Sequence, residues 1–394
     1  MAVVNSSLSG ASQPRETAQA DTRAPADLQP GRPANLSGDL SSGDALARHT
    51  TLRLGGPAAE LVVAGHADEL AEAVRTADSA GTRLLLLGGG SNLVIADSGF
   101  DGRVVRIATR GHRIDSAGDG LVRLTVEAGE DWDEVVAETV RQGLGGLECL
   151  SGIPGLTGAT PVQNVGAYGV EVSEMLTSVD LLERRTGRVR TVPAEELGLT
   201  YRSSLLKHTE TAVVLRVRFL LRDDGLSAPI RYGELARALD VDIGDRVSAE
   251  RARAAVLGLR RGKGMVLDPE DHDTWSAGSF FVNPVLEQGE LADALHRIAA
   301  GVGSDQRIPR YPAAGTSTKL SAAWLIERAG FTKGYRGPGG RVGLSTKHTL
   351  ALTNRGSATT DDLLGLAAEV RSGVREHFGV SLGVEPVLVD CALR

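Results

Sequence analysis

Cysteine is almost absent: Cys149 and Cys391 are the only two in 394 residues. That excludes a disulfide framework and a cysteine-built zinc site, and it fits a reducing compartment. The eight histidines are scattered, and no two stand one helical turn apart. No metal site is therefore expected. Long apolar runs are also missing. The stretch at 84–87 is typical of the longest, far below the roughly 20 residues that cross a bilayer. No membrane span is expected. Positive charge is not in excess, since Lys+Arg is 43 against Asp+Glu 50, a net charge of −7. A mildly acidic chain argues against a general nucleic-acid surface. Lysine is scarce, at five residues (207, 263, 319, 333 and 347) against 38 arginines.

Several well-known motifs are lacking too. A dinucleotide-binding Gly-x-Gly-x-x-Gly starting at Gly88 would need glycine at 93, where Leu93 stands. Gly262-Lys263 has Leu257 where a phosphate-binding loop needs its first glycine. Ser279 has no Gly-x-Ser-x-Gly around it, so a hydrolase elbow is not expected.

The chain is 41% hydrophobic and 24% charged, as soluble globular proteins are. Its length suggests two to three domains. Residues 1–48 are rich in Ala, Ser, Gly, Pro and Asp and poor in large apolar side chains. Such a segment cannot offset its ordering entropy, so it reads as a disordered tail, with a partner-binding tail as the alternative. It lacks the apolar stretch of a secretory signal, and a cytoplasmic protein is expected. Beyond it, apolar spacing predicts helices at 66–81, 131–141, 247–259, 290–300, 321–329 and 360–378. Strands are predicted at 83–87, 93–96, 104–107, 121–128, 179–182, 212–220 and 384–389. Helices alternating with strands give an α+β or α/β architecture. The composition break at 223–229 is a plausible domain boundary.

Two glycine-rich segments stand out. In Gly88-Gly89-Gly90-Ser91-Asn92 a strand runs straight into glycine, which exposes successive N–H groups and admits a ligand closely. A tight turn serves equally for that segment alone. The second, 152–169, is nearly free of charge, and its polar groups are small hydroxyls and the amides of Gln163 and Asn164. Amides can hydrogen-bond the edge of a flat heterocycle while bare backbone covers its face. Two such loops point to a large dinucleotide. Arg202 can grip a carboxylate and cannot lose its charge. Arg260-Arg261-Gly262-Lys263 ends a helix, where it can compensate the dipole or bind a diphosphate. Glu385 is a carboxylate in an apolar terminal strand, and needs a partner unless it faces solvent.

Ten segments in order resemble the UDP-N-acetylenolpyruvoylglucosamine reductase (MurB) family: 50–56, 88–93, 129–132, 145–171, 201–207, 232–233, 278–284, 319–330, 344–354 and Glu385. Tyr232-Gly233 resembles the substrate-covering loop of its type I members. The resemblance implies an α+β protein with an FAD-binding fold of the vanillyl-alcohol-oxidase (PCMH) type. It implies FAD subdomains at 49–110 and 111–225 and a substrate-binding domain at 226–394. The implied reaction is NADPH-dependent reduction of UDP-N-acetylglucosamine enolpyruvate to UDP-N-acetylmuramate through non-covalent FAD. That step belongs to peptidoglycan precursor synthesis, and so to cell-wall growth, cell shape and division. Arg202, Glu385 and Ser279 would be catalytic, Arg202 stabilising an enolate and Ser279 protonating it. FAD would contact Gly89, Gly90, Ser91, Asn92, Ile153, Pro154, Gly155, Gly158, Ala159, Gln163, Asn164, Gly166 and Ala167. Tyr232, Lys263, Asn283 and Lys319 would bind the substrate. The alternative is another FAD-linked enzyme on the same scaffold, a sugar or alcohol oxidase. A non-catalytic sugar-nucleotide binder is the remaining possibility.

Overall fold

A computed structural model describes residues 45–303, 306–313 and 315–394. The tail at 1–44 lies outside the described residues. Residues 45–48 belong to the fold, although composition assigns them to the tail. Leu46 is fully buried, and its N–H donates to the Gly56 carbonyl at 2.8 Å. One buried leucine in a polar stretch is invisible to composition.

The first unit holds β1 (Ala58–Ala64), α1 (Ala67–Ala80), β2 (Leu84–Leu87), β3 (Leu93–Ile95) and β4 (Phe100–Ile107). A parallel sheet runs β1-β4-β2. Helix α1 starts at a capping box between His66 and Glu69 and stops at Gly81, which takes the left-handed conformation that only glycine adopts freely. It buries Leu70, Val74 and Ala77 on one face. Strand β1 escapes sequence patterning because its alternation is weak and its partner β4 is remote in the chain.

The second unit holds β5 (His112–Gly118), β6 (Leu121–Glu127), α2 (Trp132–Arg141), the short β7 (Gly166–Ala167) and β8 (Val170–Glu171), then β9 (Leu176–Glu183), β10 (Arg188–Pro193) and β11 (Ala212–Arg222). Its sheet is antiparallel, in the order β10-β9-β11-β6-β5. The polar edge strand β5 pairs only with β6 and carries little apolar signal. Trp132 is buried against Phe219 and donates its indole N–H to the Leu150 carbonyl.

Next come α3 (Gly233–Leu239) and α4 (Ala249–Gly262). They follow the break at 223–229 yet pack on the second unit. Leu235, Ala236, Leu239, Ala252 and Val256 share a core with Val126, Trp132 and Phe219. The other large core takes Leu52, Leu54 and Val94 from the first unit and then runs from Ala277 onward, so the change of core lies between Val256 and Ala277.

The last unit comprises β12 (Val285–Leu286), α5 (Gln288–Val302), β13 (Arg310–Pro312), β14 (Thr318–Leu320), α6 (Ala322–Arg328), β15 (Val342–Leu344), β16 (Leu352–Asn354), α7 (Thr360–Phe378) and β17 (Val387–Val389). Helix α7 starts at a Thr359–Asp362 capping box and buries Leu363, Leu366, Val370 and Val374 as one stripe. Strand β17 pairs in parallel with β3, Leu388 opposite Val94, and ties the chain's end to its beginning. The expected strand at 384–389 is shorter than predicted. Val384 bridges to Phe281, and Pro386, which has no N–H to donate, separates Glu385 from β17.

Candidate active site

The two glycine-rich loops meet backbone to backbone. A Cβ on Gly89 would lie 2.7 Å from Gly155 Cα, closer than any side chain tolerates. Ser91 Oγ donates to the Pro154 carbonyl at 3.1 Å across the same contact. Asn92 sits where β3 begins, and its carbonyl accepts from Val387 N at 2.9 Å. The segment before β17 is thereby fixed beside the first glycine loop.

Arg202 stands on a tight turn. Thr200 and Ser203 exchange backbone hydrogen bonds at 3.0 and 3.1 Å. Arg202, third in the turn, has φ of +56°, a position that favours glycine. The turn is held from outside. Asn164 Nδ2 donates to the Thr200 carbonyl at 3.1 Å, and Lys207 Nζ to the Arg202 carbonyl at 2.9 Å. Ser204 Oγ donates to the Val162 carbonyl. Gly166 lets the guanidinium lie close, since a Cβ there would be 3.3 Å from Arg202 Nη1.

Ser279 is placed by its neighbours. Phe280 and Phe281 are each 1% exposed and anchor the segment in the C-terminal core. Glu385 N donates to the Phe280 carbonyl at 3.0 Å, which sets the carboxylate's segment next to Ser279. Ser279 Oγ lies 3.4 Å from His348 Nε2. Burial, with Lys263 and Lys333 adding to it against Glu327, pushes the His348 imidazole down to about 4, so it is neutral at pH 7.

These elements enclose a cavity of about 590 Å³. Arg202, Ser279 and Glu385 all line it. So do Ser91, Asn92, Ile153, Pro154, Gln163 and Gly166 from the glycine-rich loops, and Asn283 and Lys319. Its charged lining is Arg202, Arg260, Lys319 and Glu385, three cations to one carboxylate in a chain of net charge −7. Arg260 donates from Nη2 to the Met265 carbonyl at 2.8 Å, while its Nε is buried beside Gly152 with no hydrogen-bond partner among the described residues. An anionic occupant balances the cationic excess of the wall.

Other expected site residues lie off the cavity wall. Gly89 and Gly155 form the contact between loops, and Gly90, Gly158, Ala159 and Ala167 also stand behind the lining. The Asn164 amide is taken up by Glu171, Thr200 and Ser173, which makes it a brace for the Arg202 turn. Tyr232 and Lys263 gather on Tyr168 instead. The two tyrosine rings meet edge to face at 5.5 Å, Lys263 Nζ lies 5.9 Å over Tyr168, and it pairs with Glu234 at 2.6 Å. Arg260, in the basic segment 260–263 that sequence reading offered for a diphosphate, lines the cavity, while His348 and Lys207 were missed as site residues. Lysine scarcity was a usable signal for Lys207; a lone histidine between β15 and β16 carries none.

Over 353 residues the chain is 75% identical to the UDP-N-acetylenolpyruvoylglucosamine reductase of Saccharopolyspora erythraea, covering 90% of this chain and 96% of that one. The chain belongs to the UDP-N-acetylenolpyruvoylglucosamine reductase family. The Streptomyces avermitilis reductase is 57% identical over 350 residues, 88% of this chain and 94% of its own. The crystal structure of the Thermus caldophilus reductase superposes with a TM-score of 0.58 at 27% identity, covering 88% of this chain and 98% of that one. Residues 58–193 match the family described as FAD binding domain, and residues 268–389 the UDP-N-acetylenolpyruvoylglucosamine reductase C-terminal domain. The reductase is thus an α+β, FAD-dependent oxidoreductase of peptidoglycan precursor synthesis, and a sugar or alcohol oxidase is not favoured. Among the described residues no helix is long and apolar enough to cross a membrane.

The residues present fit FAD. Side-chain-free backbone at Gly89 and Gly155 lies directly behind Ser91, Asn92, Ile153 and Pro154 on the cavity wall. Arg202, Arg260 and Lys319 give the same wall a cationic excess that suits a diphosphate.

Proposed function

We propose that the reductase uses NADPH to convert UDP-N-acetylglucosamine enolpyruvate to UDP-N-acetylmuramate in the cytoplasm, where both nucleotides are made. Bound FAD supplies the two-electron relay between NADPH and the enolpyruvyl double bond. Ser91, Asn92, Ile153, Pro154, Gln163 and Gly166 hold it, supported from behind by the packed glycines. Reduction at C3 leaves negative charge at C2 and its carboxylate. Arg202 stabilises that charge, a contribution of roughly 2.7–4 kcal/mol for one preorganised donor. Ser279 gives its hydroxyl proton to C2 and takes a proton back from solvent, and Glu385 sets the charge around the reacting carbons. Neutral His348 keeps the Ser279 hydroxyl in place. Lys319, Asn283 and Arg260 take the nucleotide's anionic and polar groups, while Tyr232 and Lys263 close over it from the Tyr168 side. The units up to the end of α4 form the FAD-holding part, because α3 and α4 share the core of the second unit. The C-terminal unit covers the substrate.

One observation carries this: Arg202, Ser279 and Glu385, remote in sequence, face one cavity with a cationic excess beside the joined glycine loops. The test is the flavin band of the purified holoenzyme. NADPH bleaches it, and UDP-N-acetylglucosamine enolpyruvate then restores it without oxygen. A band that stays bleached after the enolpyruvyl substrate defeats the assignment.

A further inference from the structure

Three of the five lysines bear on this site, and Lys207 has no part in the chemistry above. Its ammonium lies 2.9 Å from the Arg202 carbonyl and 3.6 Å from Glu385 Oε1. Arg202 comes from the turn before β11, and Glu385 from the segment before β17. We propose that Lys207 is a positioning residue that holds Arg202 and Glu385 in register across the cavity, resting on the roles assigned to them above.

The geometry requires something of this kind. Arg202 is a non-glycine residue at φ of +56°, a conformation that persists only where surrounding contacts fix it. Asn164 fixes the near side of the turn at Thr200, and Lys207 fixes the far side at Arg202 itself. Glu385 is held through its backbone to Phe280, but among the described residues no hydrogen bond aims its carboxylate. Lys207 is the cation paired with it. The Lys207 and Glu385 side chains are 16% and 24% exposed, so water and salt screen the pair less than a surface pair. The other charges facing the cavity are Arg202, Arg260 and Lys319. An ammonium is a compact charge with donors free to serve two acceptors, whereas a planar guanidinium in the same place would present a fixed fork.

The experiment uses flavin-loaded enzyme, with the two half-reactions followed separately by stopped flow. K207M and K207Q remove the charge, and two variants keep the test open if one does not hold flavin. K207R keeps the charge and changes the geometry. In K207M and K207Q, NADPH bleaches the flavin at near the wild-type rate. Reoxidation by UDP-N-acetylglucosamine enolpyruvate slows by about 10²-fold, the scale of a misplaced reacting group. The loss falls on the limiting rate at saturating substrate and not on the substrate concentration that half-saturates reoxidation, as misplacement of reacting groups requires. K207R restores part of that rate. In an E385Q background the further loss on removing Lys207 shrinks, because the pair it completes is already broken. Wild-type reoxidation in both neutral variants, or an undiminished further loss in E385Q, overturns the role of Lys207. If the wild-type enzyme itself is not reoxidised by the substrate, the proposed function fails instead.

Discussion

Gly89→Ala tests the contact between the two glycine-rich loops, and Gly88→Ala is its control. A Cβ on Gly89 meets Gly155 Cα at 2.7 Å and Gly155 C at 3.2 Å, both backbone atoms that cannot rotate away. Ordinary contact begins at 3.4 Å, so the loops must part by several tenths of an ångström. A Cβ on Gly88 meets only the Leu156 side chain, at 3.7 Å. Neither position has a left-handed φ, so the difference is steric. Overpacking of this kind costs about 1–3 kcal/mol. Because Ser91, Asn92 and Pro154 move with the loops, that cost falls on FAD affinity, roughly 5- to 150-fold at 1.4 kcal/mol per tenfold. The flavin-to-protein absorbance ratio and titration of apoprotein with FAD measure it. G88A should retain flavin like the wild type. Equal losses in G88A and G89A, or full FAD affinity in G89A, would refute a cradle built on backbone contact.

Ser279→Ala should leave bleaching by NADPH intact while slowing reoxidation by the enolpyruvyl substrate by about 10²–10⁴-fold, the range of one general acid. Normal reoxidation removes Ser279 from the role. His348 has a folded value of about 4 against an unfolded value near 6.5. Between those values the unfolded chain binds the extra proton, so stability is full above pH 6.5 and declines as pH falls toward 4. Discounted for the ring's partial exposure, the loss by pH 5 is about 1–2 kcal/mol. Denaturant midpoints at pH 7 and 5 should differ less in H348Q than in the wild type, and equal differences would count against the buried neutral ring. Leu46→Ala should cost about 2–5 kcal/mol of stability, as for other fully buried leucines. A change under 0.5 kcal/mol would return residues 45–48 to the tail.

Helices α1, α2 and α7 were legible from apolar spacing and capping residues, because a helix forms from contacts three and four residues apart. The strand at 84–87 was legible because its apolar run is continuous, and the one read at 212–220 because arginines alternate with apolar residues through its middle. Strands β1 and β5 were not, since each depends on a partner strand and carries a weak pattern of its own. The motif order 88–93, 145–171, 201–207 and 278–284 identified the chemistry, because reacting groups and bare glycine backbone leave a trace in residue type. Which of those residues face the cavity was decided elsewhere. Gly89 and Gly155 pack on each other, Asn164 braces a turn, His348 meets Ser279 and Lys207 pairs with Glu385, all through contacts between segments far apart in the chain. α3 and α4 follow a composition break and still pack on the earlier core, because a buried face goes to the nearest complementary surface. Sequence alone therefore determined the helices other than α3, the glycine loops and the reactive side chains Arg202, Ser279 and Glu385, which are local properties. Only tertiary structure decided how those side chains face one another, because packing between distant segments sets direction and distance.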